Sequence, residues 1–232
     1  MPDSPLAHVL AAMENAPRAP ARPAPRLVAV GKTRGADEIA ALASHWTDLR
    51  PGAALAFGEN YVQEAAGKIT ALEGRGIEWH LIGHLQSNKA AQAAALFDWV
   101  QSVDRPKLVA ALGKGRDCSL APLNVLIQVN VEGEAGKGGC TPADVPALAA
   151  AIAAQPTLAL RGLMAIPAPH PDLAKRRGAF AAMRALHEAL RADHPGADTL
   201  SMGMSEDFEA AIAEGATMVR IGTALFGPRP PA

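Results

Sequence analysis

Lys32 closes the apolar run Leu27-Val28-Ala29-Val30-Gly31, and in an extended strand Val28, Val30 and Lys32 fall on one face. A lysine held against apolar walls loses solvation, which disfavours its charged form. The neutral amine is the form that condenses with an aldehyde to a Schiff base. An ordinary exposed strand-end lysine satisfies the same spacing, so Lys32 needs partners. They lie far along the chain: Ser205 follows Leu200-Ser201-Met202-Gly203-Met204, and Arg220, Gly222 and Thr223 end the run from Met218. A helix opening at Ser205 would present free N–H groups, Gly222 permits close backbone approach, and Thr223 adds a hydroxyl; together these suit a phosphate. A helix cap and a packing glycine would explain each segment alone. Their coincidence with a strand-end lysine is the stronger signal.

Further polar clusters follow other apolar runs. Asn60 ends Phe57-Gly58-Glu59, and His84 sits in Ile82-Gly83-His84-Leu85-Gln86-Ser87-Asn88-Lys89. Both could reach a ligand's ring substituents, or tie the rim of the fold together by hydrogen bonds. His80 and His84 have HxxxH spacing, but on a strand candidate rather than a helix, so no metal is expected. The chain has no GxSxG elbow, P-loop or GxGxxG.

The elements that must position these residues alternate along the chain. Strand candidates cover 26–32, 54–60, 79–85, 99–104, 125–131, 160–166, 199–204 and 218–224. Helical patterns cover 36–46, 61–73, 86–96, 105–114, 142–154, 173–193 and 205–214. In the last, Ser205 is placed to cap, Glu206 and Asp207 fall in the first turn and Gly215 ends it. Such alternation argues a parallel α/β sheet. A doubly wound open sheet fits it, but eight strands favour a single closed (β/α)8 TIM barrel, whose active sites lie at the C-terminal ends of the strands and whose phosphate sites frequently follow strands 7 and 8. Residues 1–25 read as an N-terminal helix, 4–15, and a Pro/Ala-rich linker. The barrel occupies 26–232 as one domain.

Composition narrows the function classes. The 232 residues carry 22 basic and 23 acidic side chains, a net charge of −1, with 49% hydrophobic and 4% aromatic residues. That leaves no basic footprint for nucleic acid or an anionic membrane surface, and few rings for base stacking. No stretch approaches the roughly 20 apolar residues of a membrane span, and residues 1–14 do not resemble a secretory signal. Cys118 and Cys140 read as unpaired thiols in a reducing compartment. A soluble cytoplasmic protein is expected.

Seven segments resemble the pyridoxal phosphate homeostasis proteins: Ala29–Thr33, Phe57–Glu64, Trp79–Lys89, Ser102–Arg105, Leu160–Pro167, Leu200–Ser205 and Met218–Gly227. They keep the family's order and span nearly the whole chain. The resemblance implies a barrel like the N-terminal domain of bacterial alanine racemase, with pyridoxal 5'-phosphate (PLP) as a Schiff base on Lys32. It implies that Ser205, Gly222 and Thr223 hold the phosphate, that Arg220 faces the pyridine nitrogen, and that Met164 and Ile166 pass near the ring. An arginine there only donates, so the ring stays unprotonated and is a weaker electron sink, which restrains carbanion chemistry. The implied role is intracellular vitamin B6 and amino-acid homeostasis without an established reaction, in a monomer that binds PLP, other B6 vitamers and PLP-dependent client enzymes. Two positions depart from the pattern: the family usually has serine at Gly31 and proline near Gly35, both beside Lys32.

Other functions share parts of this pattern. A weak PLP-dependent amino-acid racemase would need a second acid/base opposite Lys32. In alanine racemases this is a tyrosine from a second domain, which is not expected in a chain ending at Ala232. The one tyrosine, Tyr61, opens the helix after the second strand. A class I aldolase would use Lys32 without a cofactor and has no need of Arg220. A pure interaction scaffold would be indifferent to Lys32.

Overall fold

The structure is a computed structural model that describes residues 4–18, 24–168, 170 and 172–228. Eight parallel strands close in chain order: β1 (Arg26–Val30), β2 (Leu55–Glu59), β3 (Ile77–Leu81), β4 (Trp99–Val103), β5 (Leu123–Gln128), β6 (Leu158–Met164), β7 (Thr199–Ser201) and β8 (Met218–Ile221). β8 pairs back onto β1 through Arg26 with Met218 and Val28 with Arg220. The closed (β/α)8 barrel expected from eight apolar runs is therefore the fold, and the open sheet is excluded.

The strand ends differ from expectation. β1 stops at Val30, so Lys32 stands in the following turn. β3 runs over 77–81 rather than 79–85, and His84 lies on the rim beyond it.

Helices cover the outside: α1 (Pro5–Asn15), α2 (Ala36–Leu49), α3 (Val62–Ala71), α4 (Ala90–Leu96), α5 (Pro106–Gly115), α6 (Val145–Ala153), α7 (Leu173–Asp193), α8 (Phe208–Ala213) and α9 (Thr223–Phe226). Their apolar faces and the outward residues of the strands, among them Leu27, Ala29, Phe57, Leu81, Val100, Leu163 and Val219, form the large core. A smaller core fills the barrel itself: Val28, Ala56, Trp99, Leu126, Met164 and Met218. This is the layered packing that makes such a barrel solid.

The N-terminal helix is part of the outer ring. Leu6, Val9 and Met13 of α1 are buried in the large core, and α1 packs against α9, α8 and α2. It fills the position between the last long turns of the barrel and the first helix, where α9 alone is too short to cover the sheet. Ser4 caps it, its Oγ accepting from the Ala7 N–H and lying 2.8 Å from His45 Nε2 of α2. Much of the sequence read as linker, residues 19–23, lies outside the described residues.

Cys118 is exposed and Cys140 buried, unpaired. Burial pushes the Cys140 thiol up to about 12, which leaves it a packing residue. Among the described residues, no helix is long and apolar enough to cross a membrane.

Candidate functional site

A cavity of about 290 Å³ opens at the C-terminal end of the strands, near the lower bound of roughly 300–1,000 Å³ usual for small-molecule sites. Lys32, Ser205, Arg220, Gly222 and Thr223 all line it, joined by Val30, Arg34 and Arg176. Five residues read separately from the sequence thus meet on one surface. Asn60, His84 and Met164 do not line it. Asn60 packs its backbone under Gly83, where a Cβ would stand 2.2 Å from the Asn60 oxygen. His84 is exposed on the rim, and Met164 is fully buried in the barrel's inner core. On β6 Met164 points inward, below the mouth; the neighbouring Pro167 reaches the cavity instead.

Lys32 is half-buried in a turn that is tightly held. The Arg34 N–H donates to the Gly31 oxygen at 3.0 Å, and Thr33 between them has φ 65°. A β-branched residue in the left-handed region is strained by about 1–3 kcal/mol and persists only where its surroundings fix it. A buried cluster does so. Lys68 Nζ donates to the Gly31 oxygen at 2.8 Å, to both oxygens of Glu59 at 2.9 Å and to Glu64 Oε1 at 2.7 Å. Glu64 Oε1 in turn accepts from the Thr33 N–H at 2.8 Å. Glu59 is completely buried, and burial pushes its carboxyl up to about 7 despite the bonds from Lys68. Sequence reading missed this cluster, because Glu64 and Lys68 look like an ordinary surface pair at i,i+4. The available signal was that Lys68 shares the α3 face of Val62 and Ala65.

The loops after β7 and β8 meet across from Lys32. The helix expected from Ser205 begins at Phe208, after a turn in which Asp207 Oδ1 accepts from the Met204 N–H at 2.7 Å. Ser205 is therefore not the cap of α8. Its Oγ accepts from the Ala224 N–H at 3.3 Å, tying the loop to the first turn of α9. At Gly222 a Cβ would come within 3.3 Å of Val30 Cβ and 3.4 Å of the Val30 oxygen, so glycine lets the β8 loop close against β1. At the start of α9 the Ala224 N–H is bonded to Ser205 Oγ and the Leu225 N–H to the Gly222 oxygen, so this short helix does not supply the row of open donors expected of α8.

Arg220 is the deepest polar residue of the cavity wall. It is 2% exposed, with Nη1 donating to Ser201 Oγ at 2.6 Å and Nη2 to the Ala165 oxygen at 2.8 Å. Burial lowers its pKa to about 10, which leaves it a cation and a pure donor at neutral pH. Arg34 spans the opposite wall, donating to the Gly227 and Pro228 oxygens and packing over Phe226. Arg176 adds a third guanidinium, whose buried Nε has no hydrogen-bond partner among the described residues. The cavity thus combines an amine, two hydroxyls and three guanidinium groups with the carboxylates of Glu206 and Asp207, of which Asp207 is turned to the Met204 N–H; the excess of cations and donors suits a compact anionic ligand with a carbonyl group. No group of three His, Cys, Asp or Glu side chains is placed to hold a metal ion among the described residues.

Comparison with known proteins agrees with this fold. Residues 8–230 match the family model of the alanine racemase N-terminal domain. The pyridoxal phosphate homeostasis protein of Pseudomonas aeruginosa is 53% identical over 203 residues, 88% of this chain and 84% of that one. That of Pasteurella multocida is 46% identical over 230 residues, 97% of this chain and 96% of its own. Among solved structures, PipY of Synechococcus elongatus with PLP bound superposes with a TM-score of 0.79 at 33% identity, covering 96% of this chain and 98% of that one. The alanine racemase of Corynebacterium glutamicum shares the fold at a TM-score of 0.66 and 20% identity, and the match covers 57% of its length. The chain belongs to the pyridoxal phosphate homeostasis protein family, built on the alanine racemase N-terminal domain.

Proposed function

We propose that this chain binds pyridoxal 5'-phosphate and serves PLP homeostasis, holding the cofactor's aldehyde carbon as a Schiff base on Lys32. The observation that carries the reading is the convergence of Lys32, Ser205, Arg220, Gly222 and Thr223 on one cavity from the ends of β1, β7 and β8. The donor set fits the cofactor: an amine for the aldehyde, hydroxyls for the phosphate, and a buried guanidinium for the pyridine nitrogen. The unpartnered Nε of Arg176 in the same wall is a further donor suited to an anion. PipY, whose structure carries PLP, and relatives named for PLP homeostasis support the assignment.

Bound PLP would supply an aldehyde for imine exchange and an electron-accepting ring. Arg220 would leave that ring a weak acceptor, because a guanidinium cannot give its proton to the pyridine nitrogen. Tyr61, the chain's one tyrosine, is 63% exposed and does not line the cavity. Among the described residues, no phenol of this chain lines the cavity beside Lys32 as the second base of a racemase would. A carrier or buffer of PLP, exchanging with B6 vitamers and PLP-dependent client enzymes, suits this site better than a racemase or a cofactor-free aldolase.

Visible spectra of the protein with added PLP, before and after borohydride, test the reading. Wild type is expected to show an imine band and, after reduction, a label that peptide mapping places on Lys32; Lys32→Ala shows neither. A wild type that takes up no PLP overturns the proposal.

A further inference from the structure

Arg220 is one end of a polar chain that crosses the barrel interior. Its Nη1 donates to Ser201 Oγ on β7 at 2.6 Å, and Ser201 Oγ donates to Gln101 Oε1 on β4 at 2.7 Å. Gln101 Nε2 lies 2.8 Å from His80 Nδ1 on β3, and His80 Nε2 lies 2.6 Å from Glu78 Oε1. Glu78 also accepts from Arg26 Nη2 at 2.6 Å, on β1 at the opposite end of the barrel. Ser201, Gln101, His80 and Arg220 are each no more than 2% exposed, while Glu78 and Arg26 reach solvent.

The bond directions form one consistent order from the arginine. A guanidinium can only donate, so Ser201 accepts and has one proton left to give. Gln101 takes it on Oε1, which turns its NH2 toward His80. His80 must then accept at Nδ1 and carry its proton on Nε2, where Glu78 receives it. Burial lowers the His80 pKa, which favours the neutral ring that this order requires. The ring is fixed from the side as well, stacked on Trp99 at 5.2 Å and 6°. Buried polar chains are stabilising only when every member is satisfied, and each of these interior members has a partner for the role assigned to it.

We infer that Gln101 and His80 are positioning residues for Arg220: through Ser201 they hold the guanidinium so that its free face points into the cavity. The Ala165 oxygen, just past the end of β6, fixes Nη2. Without the Ser201 anchor, the planar group can turn about that single contact. The inference rests on the proposed PLP site for its meaning, since the face so oriented is the one assigned to the pyridine nitrogen. Its structural core, that Gln101 governs the setting of Arg220, stands apart from the cofactor.

Two substitutions separate these parts. Gln101→Leu removes both bonds of the amide. Gln101→Glu keeps an acceptor for Ser201 and, as the neutral acid that full burial favours, still offers one hydrogen to His80 Nδ1. In apo-protein, nitrogen-15 NMR is expected to show His80 protonated at Nε2 alone in wild type and in Gln101→Glu. The Arg220 guanidinium N–H signals should be slow to exchange in wild type and Gln101→Glu, and lost or shifted in Gln101→Leu. With nitrogen-15 PLP, Gln101→Leu should bind on the order of tenfold more weakly, as one charge-assisted hydrogen bond becomes poorly aligned, and its ring-nitrogen resonance should move; Gln101→Glu should restore both. Unchanged Arg220 signals in Gln101→Leu overturn the inference whatever the cofactor does. Altered Arg220 signals with an unaltered PLP ring resonance support the positioning of Arg220 and overturn the assignment of its free face to the pyridine nitrogen. Altered Arg220 signals in a protein that takes up no PLP in any form support the positioning role and overturn the cofactor assignment.

Discussion

Lys68 Nζ lies 2.8 Å from the carbonyl oxygen of Gly31, the residue immediately before Lys32. A helix-borne ammonium therefore grips the backbone that carries the proposed Schiff-base lysine, while Glu59 and Glu64 grip the ammonium. Lys68→Met should loosen the Thr33 turn and leave Glu59 buried without its cation. Removing one partner of a buried pair commonly costs about 3–5 kcal/mol. Burial already lifts Glu59 to about 7, so here the carboxyl can take up a proton instead. A loss on the order of 2–3 kcal/mol is expected near neutral pH, read from urea denaturation, together with slower borohydride labelling of Lys32. Labelling at the wild-type rate would separate the cluster from the function of Lys32.

The raised Glu59 carboxyl also predicts a pH dependence of folding. Between about 4.5 and about 7 the folded protein retains a proton that the unfolded chain has released. The folded state binds more protons across that window, so the contribution of Glu59 falls as pH rises. A shift from 4.5 to about 7 corresponds to roughly 3 kcal/mol lost across the window. His80 and His187 are shifted down by burial and act in the opposite sense nearby. The measurement is therefore the difference between wild type and Glu59→Gln, by urea unfolding at pH 5 and pH 7.5. Glu59→Gln is expected to gain on wild type as pH rises; a difference independent of pH would show that the carboxyl titrates normally.

Arg220 should not be replaceable by lysine. Its two terminal nitrogens serve acceptors on different segments, Ser201 on β7 and the Ala165 oxygen just past the end of β6. An ammonium on a shorter stem cannot reach both in one plane. Arg220→Lys should cost on the order of 1–3 kcal/mol by leaving a buried acceptor unsatisfied, and should weaken PLP binding. Thermal unfolding with and without PLP separates the effects: the apo-protein reports the lost anchors, and the stabilisation added by ligand reports the lost ring contact. Full ligand-induced stabilisation in Arg220→Lys would remove Arg220 from the proposed cofactor contact.

The barrel was legible because its strands are short β-branched or apolar runs at regular spacing, and the residues just beyond them are the ones a barrel brings together. Lys32, Ser205, Arg220, Gly222 and Thr223 could be read that way. What escaped depends on tertiary packing. Helix α8 starts late because the Asp207 carboxylate closes its own turn on Met204. Lys68 has the spacing of a surface lysine, and only the closure of α3 onto β2 buries it. Gln101 and His80 looked like polar interruptions of strands, because their partners are 100 and 21 residues away. Met164, which the resemblance puts on the segment passing near the ring, has its side chain in the inner core, a setting that strand period alone does not fix across the irregular register of β6.

Gly31 couples the departure from the family pattern to this cluster. A Cβ at position 31 would stand 2.6 Å from Glu59 Oε1 and 3.1 Å from Ile39 Cδ1. Glu59 cannot swing aside freely, because Lys68 holds both its oxygens at 2.9 Å. Gly31→Ser, the residue usual in the family, should therefore destabilise this chain by about 1–3 kcal/mol, the range for overpacking a close-packed site. Glu59→Asp draws the carboxylate back by one methylene and by itself should also destabilise, leaving a small gap and a longer reach for Lys68. Together the two changes should cost less than their sum, because each relieves the other: the serine fills the space that the aspartate vacates. A favourable coupling on the order of 1 kcal/mol in a double-mutant cycle is expected. Strict additivity would mean that position 31 and Glu59 do not meet in the folded protein, and that the glycine here reflects something other than the size of the carboxylate beside it.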